Sequence, residues 1–232
     1  MYKVKNYFFL LASMLVSLAA SSQSFNRFET GKHNFYFSIP LKYSYTNLQG
    51  INQRMQELGT KGISQSSVEA GLGLRYSYKR FGIGYDMFLL GGNTSNFSRS
   101  DVRGNQSSSQ FFVSYNVIHN SKYIIFPQVG YSAASSVITI SHNNSSMAFN
   151  QALSGTGNAT MVYNTNNYLS FSVGIIGNST KKRAKANGLI IGYNLPLTNN
   201  QWQLTSGTTT NSPADNMGSL YMQFTVGINQ KK

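Results

Sequence analysis

Residues 67–92 read SVEAGLGLRYSYKRFGIGYDMFLLGG, and their alternation decides the fold. Val68, Ala70, Leu72, Leu74, Tyr76 and Tyr78 alternate with Glu69, Gly71, Gly73, Arg75 and Ser77. After Lys79-Arg80 the pattern resumes with Phe81, Ile83, Tyr85, Met87 and Leu89 against Gly82, Gly84 and Asp86. Period two is the signature of a strand with two unlike faces. A turn at Lys79-Arg80 makes a hairpin in which residues whose numbers sum to 159 lie opposite each other. Tyr76 then meets Ile83, Leu74 meets Tyr85, Leu72 meets Met87 and Ala70 meets Leu89. On the other face Arg75 lies opposite Gly84 and diagonal to Asp86, which lies opposite Gly73, so the two charges are expected to pair over glycines that leave them room. A greasy face backed by charge and glycine suits a strand with lipid outside and a cramped polar interior behind it.

Six more segments carry the same alternation. Strands are predicted at His33–Tyr45, Gln110–Ile118, Lys122–Ala133, Tyr168–Ile176, Gly188–Leu197 and Ser219–Asn229, with Pro40 marking an edge or bulge in the first. With the hairpin they make eight. The connections alternate long and short: Thr46–Ser66 is long, Lys79-Arg80 short, Gly92–Ser109 long, His119–Ser121 short, Ala134–Asn167 long, Lys181–Lys185 short, Thr198–Gly218 long. All short turns and both termini therefore fall at one end. Within the first long connection, Leu48, Ile51, Met55 and Leu58 at helical spacing, stopped by Gly59, predict a short amphipathic helix. The connection 134–167 holds no Lys, Arg, Asp or Glu; there Val137–Ile140 and Met161–Tyr163 are expected to extend a hairpin, and Ser145–Gly155 resembles a capped helical turn. Outward aromatics mark both ends: Phe35, Tyr76, Tyr78, Phe81 and Tyr123 toward the short turns, Tyr43, Tyr45, Phe111 and Tyr131 toward the long loops.

The first residues place Lys3 and Lys5 before an apolar run from Tyr7 to Ala20 and then small residues, the pattern of a secretory signal peptide over residues 1–22. Residues 23–232 are left as one domain of about 210 residues. There is no cysteine, hence neither a disulfide framework nor a lipid-attachment thiol. No later segment approaches the length of a spanning helix, and a chain that crosses lipid without one must close its sheet into a barrel. The fold class expected is all-β, an eight-stranded antiparallel up-and-down transmembrane β-barrel. The net charge of +13 falls to +11 without Lys3 and Lys5 and reflects scarce acids as much as abundant bases. The bases form no stripe interleaved with stacking aromatics, so nucleic acid is not expected as a partner.

The architecture resembles the small eight-stranded outer-membrane barrels of the OmpA and OmpX kind in Gram-negative envelopes. It is also similar to the outer-membrane barrel proteins of the Bacteroidetes group. The resemblance covers about residues 30–229 and rests on strand pattern, not on a residue motif. It implies a monomer in the bacterial outer membrane. The chain departs from the proteobacterial pattern at its end, finishing Val226-Gly-Ile228-Asn-Gln-Lys-Lys232 where those barrels usually end on an aromatic residue.

Inward positions carry the candidate site residues: Lys42, Glu69, Arg75, Asp86, Asn116, Gln128, Asn194 and Gln223. An eight-stranded interior is just wide enough for side chains to fill it, so these are expected to form a polar plug, with Lys42 paired to Glu69 and Arg75 to Asp86. A gated ion or proton path is the alternative for the same residues. No catalytic constellation is expected: His33 and His119 belong to the short-turn end, and His142 has no carboxylate in its segment to orient it. No metal site or cofactor is expected either, since Cys and His/Asp clusters are lacking. Trp202, with Met147, Phe149 and Leu153, forms either an exposed binding patch or loop-on-loop packing. The function expected is non-enzymatic, a surface-interaction or envelope-structural role through polar loops, with outer-membrane lipid around the barrel and an extracellular ligand or partner at 134–167. The alternatives are a narrow or gated pore for small solutes and an accessory barrel of a secretion machine. A soluble exported barrel of the lipocalin type shares the period but turns the Leu/Tyr face inward.

Overall fold

The computed structural model describes residues 33–57, 62–96, 100–142, 159–178, 183–198, 200–204, 212–213, 215 and 217–231. Eight long strands run through it: β1 (His33–Thr46), β2 (Ser66–Tyr78), β3 (Phe81–Asn96), β4 (Ser100–Tyr115), β5 (Tyr123–His142), β6 (Ala159–Gly177), β7 (Gly188–Pro196) and β8 (Ser219–Lys231). Each pairs antiparallel with its neighbour in sequence, and β8 pairs with β1, so the sheet closes into a barrel with no free edge along its wall. Short pieces at Ile118–His119, Arg183–Lys185 and Gln203–Leu204 add to β5, β8 and β6. The signal peptide read at 1–22, the helical turn read at 145–155, and Leu58 and Gly59 lie outside the described residues.

The alternation in the sequence becomes an alternation across the wall. Phe37, Ile39, Leu41, Leu74, Ile83, Tyr85, Phe111, Val129, Val173, Ile191 and Val226 stand exposed on the outside, while Lys42, Glu69, Arg75 and Asp86 are buried inside. The Leu/Tyr face is outward as expected, and the lipocalin-type alternative, which turns it inward, is not the arrangement found. The hairpin β2–β3 turns at Lys79, the described non-glycine residue with positive φ (54°), and pairs Tyr76 with Ile83, Leu74 with Tyr85 and Leu72 with Met87. The register then shifts. Ala70 pairs with Leu90 and not Leu89, because Leu89 is an extra residue in β3. The bulge lets two consecutive leucines both face outward, so the next residue, Gly91, comes in opposite Glu69.

Two long connections expected from the sequence are largely strand. Asn93–Asn96 pair with Asp101–Gly104, and β5 pairs with β6 from Tyr123 and Gly177 out to Ser141 and Ala159. The second extension includes the expected pairing of Val137–Ile140 with the Met161–Tyr163 segment, whereas Asn93–Asn96 carry only Asn, Thr and Ser, with no apolar alternation to announce them. The helix α1 (Gln49–Glu57) forms as the spacing predicts, burying Ile51 and Met55.

Candidate functional site

The interior of the barrel is the site the chain builds, and it is organised in levels along the axis. At the long-loop end sits a folded cap. Helix α1 starts after Leu48, which has no side-chain acceptor for the free amides of a first turn, and the first turn itself holds no acid. Asp215, 165 residues away, supplies one. Its Oδ1 accepts from the Gly50 N–H at 2.6 Å, and its Oδ2 accepts from the Ile51 N–H at 3.0 Å and from Trp202 Nε1 at 2.8 Å. Trp202 is 1% exposed and packs with Leu48, Ile51, Met55, Ile63, Ile138, Tyr168 and Met217. Of the two readings of this tryptophan, packing among the connections is the one found and the exposed patch is not; Met147, Phe149 and Leu153 lie outside the described residues. Asn52 closes the cap from the other side, exchanging hydrogen bonds with the backbone of Ile63 at 2.8 and 3.0 Å.

Below the cap lies a buried ion pair. Lys42 Nζ is 3.0 Å from Glu69 Oε1, and Glu69 has no solvent exposure. Ser108 Oγ accepts from Lys42 at 2.7 Å and donates to Glu69 Oε2 at 2.6 Å, while Ser44 Oγ donates to Glu69 Oε1 at 3.3 Å. Lys42 Nζ also stands 4.0 Å from the centre of the Phe88 ring. Both carboxylate oxygens and the ammonium are thus engaged, which a buried pair requires if it is not to cost more than it returns.

The next level departs from expectation. Arg75 and Asp86 lie across the same hairpin but do not form an ion pair. Asp86 Oδ2 accepts from Gln223 Nε2 at 2.9 Å. Arg75 instead donates from Nη2 to Ser114 Oγ at 2.6 Å and lays its guanidinium 3.6 Å from the centre of the Phe126 ring and 5.8 Å from that of Phe112. The guanidinium is drawn away because aromatic faces at this depth offer it a desolvated partner. Between Arg75 and Asp86 is a cavity of about 30 Å³, bounded also by Tyr36, Ser38, Gln223 and Thr225, room for a water or two. A second cavity, about 20 Å³, lies under Trp202 and Met217.

The short-turn end of the interior is apolar: Tyr36, Ile124, Phe126, Ile176, Ala186, Ile190 and Tyr221 pack together. Sequence reading missed this plug, although a signal was present. The inward aromatics sit beside inward glycines, Phe112 against Gly84, Phe126 against Gly174 and Tyr221 against Gly192, where a Cβ would overlap the ring.

All eight side chains named from the sequence lie inside the wall and are at least nine-tenths buried. Lys42 and Glu69 meet, Asp86 and Gln223 meet, and Asn194 joins a belt around the wall: Ser132 to Ser170 at 3.1 Å, Ser170 to Asn194, and Asn194 Nδ2 to Ser219 Oγ at 3.0 Å. Asn116 and Gln128 are not drawn into a network; Asn116 Oδ1 and Gln128 Oε1 are buried without a protein hydrogen-bond partner, as is Thr225 Oγ1. Of the histidines, His33 accepts or donates at 2.6 Å to the Tyr76 hydroxyl at the short-turn end.

No family model and no curated protein matches the chain. Among solved structures it is similar in outline to the attachment invasion locus protein Ail of Yersinia pestis (9% identity, TM-score 0.42, covering 88% of this chain and 99% of that one). It is likewise similar to Neisserial surface protein A (12%, 0.44, 85% and 97%) and to the outer membrane protein OprG of Pseudomonas aeruginosa (10%, 0.43, 88% and 96%).

Proposed function

We propose that the chain is an integral outer-membrane β-barrel, closed to solutes and without catalytic activity, that works at the surface through its cap and extended hairpins. One observation carries this reading: an apolar outer wall encloses an interior of buried polar side chains that packed apolar clusters stop at both ends. The wall exposes more than two dozen large apolar side chains that water would penalise and lipid would not. Its interior is stopped at one end by α1, Trp202 and Met217 and at the other by Phe126, Ile124 and Tyr221, and the two cavities described above, of about 20 and 30 Å³, hold no more than a water or two each. What remains for recognition is the polar material beyond the membrane: the long-loop ends of the β3–β4 and β5–β6 hairpins and the cap. A ligand or partner for the stretch 134–167 belongs to this proposal.

Conductance of the purified, refolded protein in a planar bilayer tests it. A silent membrane with insertion demonstrated independently is the expected result; steady channels overturn the closed-barrel reading. The second reading, a gated narrow pore, is favoured by the buried Lys42, Glu69, Arg75 and Asp86 and by the unpartnered polar atoms between them. It requires channels that appear when the cap is loosened, and that change when Arg75 or Asp86 is replaced.

A further inference from the structure

Surface charge is distributed unequally between the two ends of the barrel. The short connections 79–80, 116–122 and 178–187, together with the tail 229–232, contain nine Lys or Arg and no Asp or Glu. At the opposite end Arg54, Lys61, Arg99 and Arg103 face Glu57, Asp101 and Asp215, close to balance. In the described residues Lys79, Lys122 and Lys185 are exposed and Arg80 is half-buried.

The turns that carry the described cations are linked to one another. Arg80 C=O accepts from the Asn116 N–H at 2.7 Å, Lys122 C=O accepts from the Asn178 N–H at 2.7 Å, the Gly177 N–H donates to Asn187 C=O at 2.8 Å, and the Ala186 N–H donates to Gly227 C=O at 2.8 Å. The turns are thereby tied to each other and to β8, which sets Lys79, Arg80, Lys122 and Lys185 around the mouth.

Each of three rim cations also adjoins an outward aromatic in sequence. Lys79 follows Tyr78, Arg80 precedes Phe81 and Lys122 precedes Tyr123, and all three rings are exposed on the outer wall. Lys79 Nζ stands 5.3 Å from the centre of the Tyr78 ring. Outward aromatics settle at the boundary between acyl chains and headgroups. A Lys or Arg one residue nearer the barrel end, with a stem long enough to lie along the ring, is then at the depth of the phosphates.

We propose that this rim is a docking surface for the phosphates of anionic phospholipids in the leaflet it enters, an inference that rests on the membrane reading above. The occupant is a phospholipid and not a soluble polyanion because the cations are spread laterally around the wall among membrane-boundary aromatics. They do not converge on a pocket. Each Lys or Arg at an anionic surface contributes about fivefold to the partition.

The test compares the full mature chain refolded into vesicles of phosphatidylcholine alone and of phosphatidylcholine mixed with phosphatidylglycerol. Insertion is read first, by protease protection and by the heat-dependent shift in gel mobility, and the folding equilibrium second, by urea titration. Phosphatidylglycerol should favour the folded state of the native chain by about tenfold or more, and 1 M salt, where the screening length is about 3 Å, should abolish the gain. The variant Lys79→Gln/Arg80→Gln/Lys122→Gln/Lys185→Gln should insert equally into phosphatidylcholine and show a gain severalfold smaller than that of the native chain. An undiminished gain in that variant overturns the proposal. So does an equal gain from inorganic phosphate added to neutral vesicles. Absence of insertion in either lipid instead sinks the membrane reading itself.

Discussion

The Trp202 indole donates to Asp215 Oδ2 at 2.8 Å, and through the same carboxylate the last long connection caps the helix of the first. Segments that enter from opposite sides of the β1–β8 seam are joined by one side chain. The negative charge sits where the positive end of the helix dipole and two free amides converge. The cap is therefore a tertiary unit whose integrity depends on a residue remote from the helix in sequence.

Replacing Asp215 by Ala should open that unit without unfolding the barrel. Three hydrogen bonds to an ionised acceptor are lost, and the amides of Gly50 and Ile51 lose their partners, a local cost of about 1–3 kcal/mol. Trp202 is the sole tryptophan of the chain, so its emission reports the cap alone. The native protein should emit in the blue and resist acrylamide, whereas the variant should shift to the red and be quenched severalfold more strongly, at a nearly unchanged urea midpoint. An unaltered spectrum would show that Asp215 does not hold the tryptophan.

The Lys42–Glu69 pair gives a second prediction of unusual sign. Lys42→Met leaves Glu69 buried with only Ser44 and Ser108 to compensate it, and should cost about 3–5 kcal/mol. Adding Glu69→Gln removes the stranded charge and should recover most of that loss. A urea-unfolding double-mutant cycle in detergent measures the coupling, and additive single effects would mean the pair is hydrated and not buried as described.

At the short-turn end the packing is tight enough to test with one methyl group. A Cβ at Gly174 would come 2.6 Å from Phe126 Cε2 and 3.1 Å from Ile190 Cγ1, inside ordinary carbon contact of about 3.5–4.0 Å. Gly174→Ala should destabilise by about 1–3 kcal/mol, and Phe126→Leu in the same chain should relieve part of the loss by withdrawing the ring. Equilibrium unfolding of both single variants and the double variant decides it; a neutral Gly174→Ala would place the ring elsewhere.

The barrel was legible because strands with one face in lipid must alternate, and Val68 to Tyr78 alternate without interruption. The register of the hairpin was legible as far as Leu72–Met87, where each outward residue has one partner. It failed at Leu89-Leu90, since two adjacent leucines do not say which is supernumerary. The hairpin extension at Val137–Ile140 and Met161–Tyr163 was legible from its apolar residues, and those segments do pair; the extension Asn93–Asn96 was not, because its four polar residues carry no apolar alternation. Within the lumen, charged residues advertised themselves and Phe126 did not, because an aromatic is at home on either face. Arg75 then chose that hidden ring in place of Asp86. Asp215 was invisible as a cap because Gly50, whose amide it accepts from, lies 165 residues earlier.

The orientation of the wall rests on residues such as Leu74, which is 55% exposed and pairs with Phe37 and Tyr85 on neighbouring strands. Phe37 and Tyr85 are exposed on the same outer surface, so Leu74 lies within a contiguous apolar band near the middle of β2. A guanidinium placed there faces hydrocarbon and is too far from either end to reach water along a relaxed stem. Leu74→Arg should therefore cost about 2–4 kcal/mol in a bilayer, while Leu74→Ala should cost much less, since it removes only apolar surface that lipid replaces. In water an exposed Leu→Arg change is close to neutral, so comparing the two variants in vesicles separates lipid from water as the neighbour of this face. A Leu74→Arg penalty no larger than that of Leu74→Ala would mean that the outer wall does not lie in lipid.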